Sequence, residues 1–282
     1  MTPDSQILLN KPGFYWLQLR VGVAAIWLAL GAPLHASPGS AMPDFAELCS
    51  PPAAGADPQS TSTMAAPYRP PNDWAWLCFY EADNQVLRKG MPPDIIFMGD
   101  SITQAWITID PAFFDASRID RGISGQTSAQ LLLRFQQDAL SLRPKVIHLL
   151  VGTNDVAGNV GAMGMESYKS NIVAMADLAK ANNIVLVLGA IPPADRFPWR
   201  ASVEPVDYIR SLNRWLRDFS KKRRIVFVDY YAAMANPSGA AREGLTRDGV
   251  HPNADGYRIM ADLAEPALKK ALARSRRKAN SP

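Results

Sequence analysis

The chain has 282 residues, of which 48% are hydrophobic and 20% are charged, a balance that is ordinary for a globular protein with a buried core. The formal charge of +4 does not by itself indicate a nucleic-acid-binding face, because six lysines and arginines lie within the last fourteen positions. We therefore expect no nucleic-acid partner, and we interpret residues 273–282 as a basic C-terminal tail compatible with weak affinity for anionic surfaces.

The N-terminus has the order of regions that is typical of a secretory signal. Lys11 and Arg20 precede the apolar run 21–30, and small residues follow near Ala36. This apolar run is shorter than the roughly 20 residues that span a bilayer. We therefore predict a signal peptide over 1–36, export to the periplasm or the outside, and no stable membrane span after cleavage. An uncleaved N-terminal membrane anchor is the alternative.

A segment rich in Pro, Ala and Ser covers 37–71, and we predict a linker there because such a composition buries too little apolar surface to fold alone. The linker contains Cys49, and Cys78 follows it. In an oxidising compartment these two cysteines can pair, although Cys78 could instead be a buried thiol. Order is predicted to resume at a helix capped by Asn72 or Asp73.

Five short segments rich in β-branched residues follow, and longer segments with helical spacing separate them. We predict strands at 94–99, 117–122, 145–152, 183–190 and 224–229. Strands that are apolar on both faces and alternate with helices indicate a parallel sheet covered on both sides. The sequence therefore predicts one flavodoxin-like, three-layer α/β/α domain over 72–272, with a five-stranded parallel sheet.

Polar residues follow several of these strands, at the edge of the sheet where ligands bind in such folds. The first strand ends in Gly99-Asp100-Ser101, and the third ends in Gly152-Thr153-Asn154-Asp155. The segment "RDGVHPN" follows the fifth strand. A serine at this edge acts as a nucleophile when a base lies within hydrogen-bond reach and has an orienting partner of its own.

The base can be sought among three histidines. His35 lies in the predicted signal and His148 lies in the middle of a strand, so His251 is the candidate base. Asp248, three residues before it, can reach the imidazole across one turn.

A metal site is the competing interpretation, in which Asp100 and Asp155 would join Asp248 and His251 as ligands. Carboxylates beside turns more often accept hydrogen bonds from nearby backbone N–H groups, and the serine route needs no metal. We therefore expect no metal and no cofactor.

Four sequence blocks resemble those of the SGNH/GDSL esterases, in the order of that family. The blocks are 99–103, "GISGQT" around Gly125, 152–155 and 248–252. The chain is most similar to bacterial acylhydrolases that resemble the catalytic subunits of platelet-activating-factor acetylhydrolase. One departure is Gln126, where many members carry Asp, and we expect it to have little effect on the mechanism.

The resemblance implies the SGNH hydrolase fold and a role for each matching residue. Ser101 would be the nucleophile, His251 the general base and Asp248 its orienting partner. The oxyanion hole would consist of the backbone N–H groups of Ser101 and Gly125 and the side-chain amide of Asn154.

The substrate is less defined by the sequence. Phe197, Trp199 and Met163 could line an acyl or leaving-group pocket, and each could equally cap the core. Because no long acyl tunnel is indicated, we expect a secreted esterase that acts on short acyl groups, acetyl especially, of carbohydrates or small alcohols. A lysophospholipase or thioesterase for longer chains is the alternative, and a non-catalytic binding module would require the loss of a triad residue. The oligomeric state stays open.

Overall fold

The computed structural model describes residues 45–50, 70–161 and 164–279. The predicted signal peptide, most of the predicted linker and Met163 lie outside the described residues.

Five parallel strands form one sheet in the order β2-β1-β3-β4-β5. The strands are β1 (Ile95–Gly99), β2 (Arg118–Gly122), β3 (Val146–Leu150), β4 (Val185–Gly189) and β5 (Val226–Val228). Each lies within its predicted segment, and every residue of β1, β3 and β4 is buried. The prediction of a five-stranded parallel sheet is therefore confirmed.

Helices cover both faces of the sheet. The described helices are α1 (Phe45–Leu48), α2 (Glu81–Lys89), α3 (Ser101–Ile109), α4 (Ser128–Asp138), α5 (Thr153–Ala157), α6 (Met165–Ala181), α7 (Val206–Arg223), α8 (Tyr230–Met234) and α9 (Ala254–Ala279). One buried cluster joins the sheet to α4, α6 and α7, and a second joins it to α3, α8 and α9. The predicted three-layer α/β/α architecture is confirmed. None of the described helices combines the length and the apolar character that crossing a bilayer requires.

The segment before α2 differs from its prediction. Residues 70–80 form consecutive turns, and the helix begins only at Glu81. Asp73 accepts hydrogen bonds from the backbone N–H groups of Leu77 (2.7 Å) and Cys78 (3.0 Å), so its carboxylate closes a turn and does not cap a helix. Trp76 has φ = 56°, a left-handed conformation that interrupts a right-handed helix.

A disulfide joins Cys49, directly after α1, to Cys78 in these turns. It links two parts of the chain that are 29 residues apart. Part of the segment predicted as a linker is therefore covalently attached to the domain.

The C-terminal residues also differ from their prediction. The boundary expected after Leu272 is not a structural boundary, because α9 continues through Ala279. Helical residues such as Ala, Lys and Arg dominate 267–279, and Ala271 and Leu268 pack against the core. The basic residues up to Lys278 therefore belong to a helix and not to a separate tail.

Candidate active site

The candidate site lies where the strand order reverses. From β1 the chain passes to β2 on one side and then returns to β3 on the other side, so a crevice opens beyond the carboxyl ends of β1 and β3. Ser101 follows β1 directly, as the first residue of α3, and Asn154 lies in α5 directly after β3. The topology therefore brings two of the predicted residues to the same crevice.

Ser101, His251 and Asp248 form a continuous hydrogen-bonded chain. The Oγ atom of Ser101 is 3.0 Å from Nε2 of His251. On the other side of the ring, Nδ1 of His251 is 2.7 Å from Oδ2 of Asp248. These distances allow the imidazole to accept the serine proton while its other nitrogen donates to the carboxylate.

The loop around His251 is held by its own backbone. Thr246 and Pro252 form an antiparallel bridge, and Gly249 adopts φ = 90°, a conformation that glycine takes without strain. This tight loop directs Oδ1 of Asp248 toward the N–H groups of Val250 (3.0 Å) and His251 (2.8 Å). Partial burial raises the pKa of Asp248, but the hydrogen bonds from His251 and Val250 outweigh it and leave the pKa below its ordinary value. Asp248 is therefore ionised at neutral pH.

The other histidine in the described part of the chain has a structural position, as the sequence suggested. His148 is completely buried in β3, and its Nε2 is 2.8 Å from the hydroxyl of Tyr230. Burial lowers the pKa of His148 to about 3, so the ring is neutral.

The backbone N–H groups of Ser101 and Gly125 have no hydrogen-bond acceptor within the described part of the chain. Among the hydrogen bonds of the described residues, none uses the N–H of Ser101 or of Gly125 as a donor. The N–H of Ser101 belongs to the first turn of α3, where the helix dipole favours negative charge. Gly125 has φ = 78°, and a Cβ added there would meet no atom within 4 Å, so the space above it is open.

Asn154 is buried next to these groups, but its amide already has acceptors. Its Nδ2 donates to the carbonyl of Gln126 at 3.0 Å and lies 3.3 Å from Oδ2 of Asp100. Asn159 donates to Oδ1 of Asn154 at 2.6 Å, which fixes the orientation of the amide. The long contact with Asp100 is the weaker of the two donor contacts, so it is the one that Nδ2 can exchange for an oxyanion.

Asp100 and Asp155, the alternative metal ligands, accept hydrogen bonds from neighbouring backbone. Asp100 caps α3 by accepting from the N–H of Ile102 (3.0 Å), and Asp155 accepts from the N–H of Ser128 (3.0 Å). Burial raises the pKa of Asp100 to about 7 and that of Asp155 to about 6. Within the described ranges, no group of three or more His, Cys, Asp or Glu side chains could hold a metal ion.

A fully buried arginine, which the sequence did not single out, supports this end of the sheet. Arg134 of α4 donates to the carbonyl of Gly99 (3.0 Å), to the side chain of Gln126 (2.6 Å) and to Asp138 (3.0 Å). It therefore ties the residue at the end of β1 to the residue that follows Gly125. The available signal was an Arg/Asp pair spaced i, i+4 on the apolar face of a helix.

The pocket at Ser101 is open and has a volume of about 410 Å³. It is lined by Ser101, Gln104, Ala105, Thr108, Ile109, Ser124, Arg247 and His251. Most of these residues belong to one face of α3, and no motif in the sequence marked Gln104 or Arg247 as part of the site.

The three predicted substrate-binding residues have different outcomes. Phe197 is completely buried in the core, so the expectation that it lines a substrate pocket is wrong. Trp199 is 42% exposed, stacks on Phe197, and has its ring centre 5.9 Å from that of His251. Its indole N–H donates to Asn159 at 2.9 Å. Met163 lies outside the described residues.

Comparison with known proteins places this geometry in a family. Residues 97–259, more than half of the chain, match the model of the GDSL-like Lipase/Acylhydrolase family. The crystal structure of a GDSL-like lipase from Bacteroides thetaiotaomicron is 41% identical to the chain, with a TM-score of 0.67. The similarity covers 70% of this chain and 98% of that one.

Two further relatives are more distant. The crystal structure of the acetyl xylan esterase AlAXEase is 26% identical, covers 61% of this chain and 98% of its own, and has a TM-score of 0.51. The uncharacterized lipoprotein YqeF of Bacillus subtilis is 26% identical, and the similarity covers 59% of this chain and 86% of that protein.

Proposed function

Because the chain belongs to the GDSL-like lipase/acylhydrolase family and is therefore an ester hydrolase, we propose that it is an exported serine esterase that removes short acyl groups. Ser101 is the nucleophile, His251 the general base and Asp248 the partner that orients the imidazole. The observation that carries this proposal is the unbroken contact from Ser101 Oγ through the His251 ring to Asp248, at 3.0 Å and 2.7 Å.

The reaction has two stages. His251 accepts the Ser101 proton as Oγ attacks the ester carbonyl, and the imidazolium returns a proton to the leaving alcohol. A water molecule then uses the same base to hydrolyse the acyl-enzyme. In both stages the negative oxygen is met by the N–H groups of Ser101 and Gly125 and by the Asn154 amide, which releases its 3.3 Å contact with Asp100.

An acetyl ester of a carbohydrate is the substrate class that the site supports best. The pocket at Ser101 is small and open, which suits a short acyl group attached to a bulky alcohol. Trp199 offers an exposed indole beside His251, and aromatic rings of this kind pack against the apolar faces of sugars. The similarity to an acetyl xylan esterase agrees with this class.

A longer acyl chain is the second candidate, and a specific groove favours it. A cavity of about 740 Å³ runs between α2, α3 and the edge strand β2. Gln104 and Thr108 line both this groove and the pocket at Ser101, while exposed Val86 and Ile107 give it an apolar rim. An acyl chain that turns along α3 from Ser101 would enter it.

Export is part of the proposal, with a periplasmic or extracellular location. The order of regions at the N-terminus supports it, and so do the Cys49–Cys78 disulfide and the similarity to a lipoprotein. Fractionation of cells that express the full chain would test this point, since activity confined to the cytoplasm would contradict it.

A panel of p-nitrophenyl esters from C2 to C16, together with acetylated xylo-oligosaccharides, tests the substrate. We expect the highest kcat/KM at C2, release of acetate from the oligosaccharide, and loss of activity in Ser101→Ala. The matched control Ser202→Ala, at an exposed loop serine, should retain activity. No cleavage of any ester would refute the esterase, and loss of activity on chelation by EDTA would refute the metal-free mechanism.

The variant Ile107→Asp separates the two substrate classes. A carboxylate on the apolar rim of the groove should lower kcat/KM for C8–C12 esters and leave the C2 ester unaffected if long chains bind there. A maximum at C8 or longer that disappears in this variant would replace the short-acyl proposal by the long-chain one.

A further inference from the structure

A cleft at the opposite end of the sheet is lined by basic and apolar residues. It has a volume of about 260 Å³. Half of its lining residues are cationic and the other half are apolar: Lys180, Arg223, Arg224, Arg274 and Lys278, with Ala176, Ile184, Val185, Leu186 and Ile225. We call the surface formed by the five cationic residues the basic end.

The basic end lies at the amino ends of β4 and β5, whereas Ser101 follows the carboxyl end of β1. Three long helices, α6, α7 and α9, finish there, and each contributes cations from its last turns. Cationic residues from segments that are more than 40 residues apart in the sequence thus lie on one surface.

The basic end lies within a part of the chain where positive charge is concentrated. The segments 221–224 and 269–278 together hold ten lysines and arginines and no acidic residue. Arg223 pairs with Asp177 at 2.6 Å, Lys269 pairs with Glu265 at 3.3 Å, and Arg274 donates to the carbonyl of Arg224 at 2.8 Å. In the described part of the chain, the exposed ammonium groups of Lys180 and Lys278 take part in no ion pair.

Interaction with the helix dipoles accounts for only part of this charge. A cation in the last turn of a helix stabilises its C-terminus, and the effect is confined to that turn. The last three residues of α7 and the residue that follows it are all cationic, and six more cations lie in the last turns of α9. This is more positive charge than the ends of the two helices require. Because the five cations that line this one cleft repel each other, their accumulation indicates an anionic partner.

We propose that the basic end docks this protein onto the surface of a membrane that contains anionic phospholipid. The narrow cleft admits one phosphate headgroup, which its arginines and lysines can contact, and its apolar floor accommodates the adjoining glycerol. No aromatic side chain lines the cleft, so it lacks the stacking platform that single-stranded nucleic acids use. In the docked orientation, the crevice at Ser101 faces away from the bilayer.

Sedimentation of the full chain with vesicles tests the proposal. Vesicles of phosphatidylcholine with 30 mol% phosphatidylglycerol should bind the protein at least about tenfold better than phosphatidylcholine alone, and 0.5 M NaCl should remove the difference. The phosphatidylcholine arm also measures any contribution from the apolar N-terminal segment.

The double variant Lys180→Glu/Lys278→Glu should reduce binding to phosphatidylglycerol vesicles to the level of phosphatidylcholine alone. The control Arg242→Glu/Arg258→Glu makes the same change in charge at exposed positions near the start of α9 and should retain at least half of the binding. Hydrolysis of p-nitrophenyl acetate within twofold of the wild type verifies that both variants fold.

Three results would overturn the proposal. The first is equal binding to the two kinds of vesicle, and the second is equal loss of binding in the two double variants. The third is displacement of the protein from the vesicles by duplex DNA at equal phosphate concentration, which would assign the basic end to nucleic acid.

Discussion

Replacing Asp248 by Asn changes one carboxylate oxygen of the proposed Ser-His-Asp triad into an NH2 group, which is a hydrogen-bond donor. In the wild type, Oδ2 accepts from His251 Nδ1 at 2.7 Å, while Oδ1 accepts from two backbone N–H groups at 2.8 and 3.0 Å. Every contact of the carboxylate is therefore an accepting one. An asparagine keeps two of these three contacts when its Nδ2 faces the imidazole and only one when its Nδ2 faces the two backbone donors.

Both orientations of the amide damage the site. With Nδ2 toward the ring, Nδ1 of His251 must become the acceptor, which places the imidazole proton on Nε2. A protonated Nε2 cannot accept the hydroxyl proton of Ser101. With Nδ2 toward the backbone, it opposes the N–H groups of Val250 and His251 and disrupts the loop. Loss of the correct tautomer in Ser-His-Asp triads costs up to about 10⁴-fold in kcat, so we expect a decrease of about 10²–10⁴-fold, or about 3–5.5 kcal/mol.

Steady-state hydrolysis of p-nitrophenyl acetate at pH 8 measures this effect. Asp255→Asn, an exposed residue at the start of α9, is the matched control and should remain within twofold of the wild type. Circular dichroism and the Tm distinguish a folded, inactive enzyme from an unfolded one. A folded Asp248→Asn enzyme with kcat within threefold of the wild type would refute the orienting role of Asp248.

Three further variants probe other parts of the structure. Asn154→Ala should lower kcat by roughly 10²–10³-fold in an enzyme that still folds, and full activity would remove this amide from the oxyanion hole. Burial raises the pKa of Asp120 to about 7, so folding becomes less favourable by about 1.4 kcal/mol per pH unit as the pH rises from about 4 to 7. Asp120→Asn removes this titrating group. Urea unfolding should therefore show that the free energy of unfolding of the variant, relative to the wild type, increases from about pH 4 to pH 7. A difference that does not depend on pH would contradict the raised pKa of Asp120. Cys49→Ser opens a 29-residue loop and should lower the free energy of unfolding by about 2–4 kcal/mol, whereas an unchanged urea midpoint would show that the disulfide is not a source of stability.

The sheet was predictable because buried parallel strands have a simple signature. Each is a short apolar run that glycine or a polar turn ends, and this pattern needs no knowledge of distant contacts. The strand order β2-β1-β3-β4-β5 depends on tertiary contacts and could not be read from the sequence. The position of the polar residues directly after the strands was nevertheless enough to predict that Ser101 and Asn154 lie at the same edge of the sheet.

The incorrect expectation for Phe197 concerns a residue whose environment depends on the path of a loop. Phe197 and Trp199 are two residues apart and have similar chemistry, yet Phe197 is buried and Trp199 is exposed. Residues 191–194 are buried as well, and this loop has no regular secondary structure whose period would mark Phe197 as buried and Trp199 as exposed. Similarly, composition identified the basic C-terminal residues but not the helix that carries them, because charge alone does not prevent a helix of good formers from continuing.

The turns before α2 are part of the framework around the candidate oxyanion hole. Side-chain amides of α4 hold their carbonyl groups: Gln130 donates to Trp74 at 2.8 Å, and Gln137 donates to Leu77. The disulfide at Cys78 fastens the same turns to α1.

Gln126 connects these turns to the candidate oxyanion hole. Its side chain donates to the carbonyl of Ala75 (2.8 Å) and accepts from Arg134 (2.6 Å), while its own carbonyl accepts from Asn154 (3.0 Å). An aspartate here, as many family members carry, could accept from Arg134 but could not donate to Ala75. Gln126, which replaces the Asp of many family members, therefore contacts the turns before α2, the buried Arg134 and the Asn154 amide. We infer the role of Gln126 from this position: it is buried and does not line the pocket at Ser101, and its hydrogen bonds hold the backbone next to Gly125.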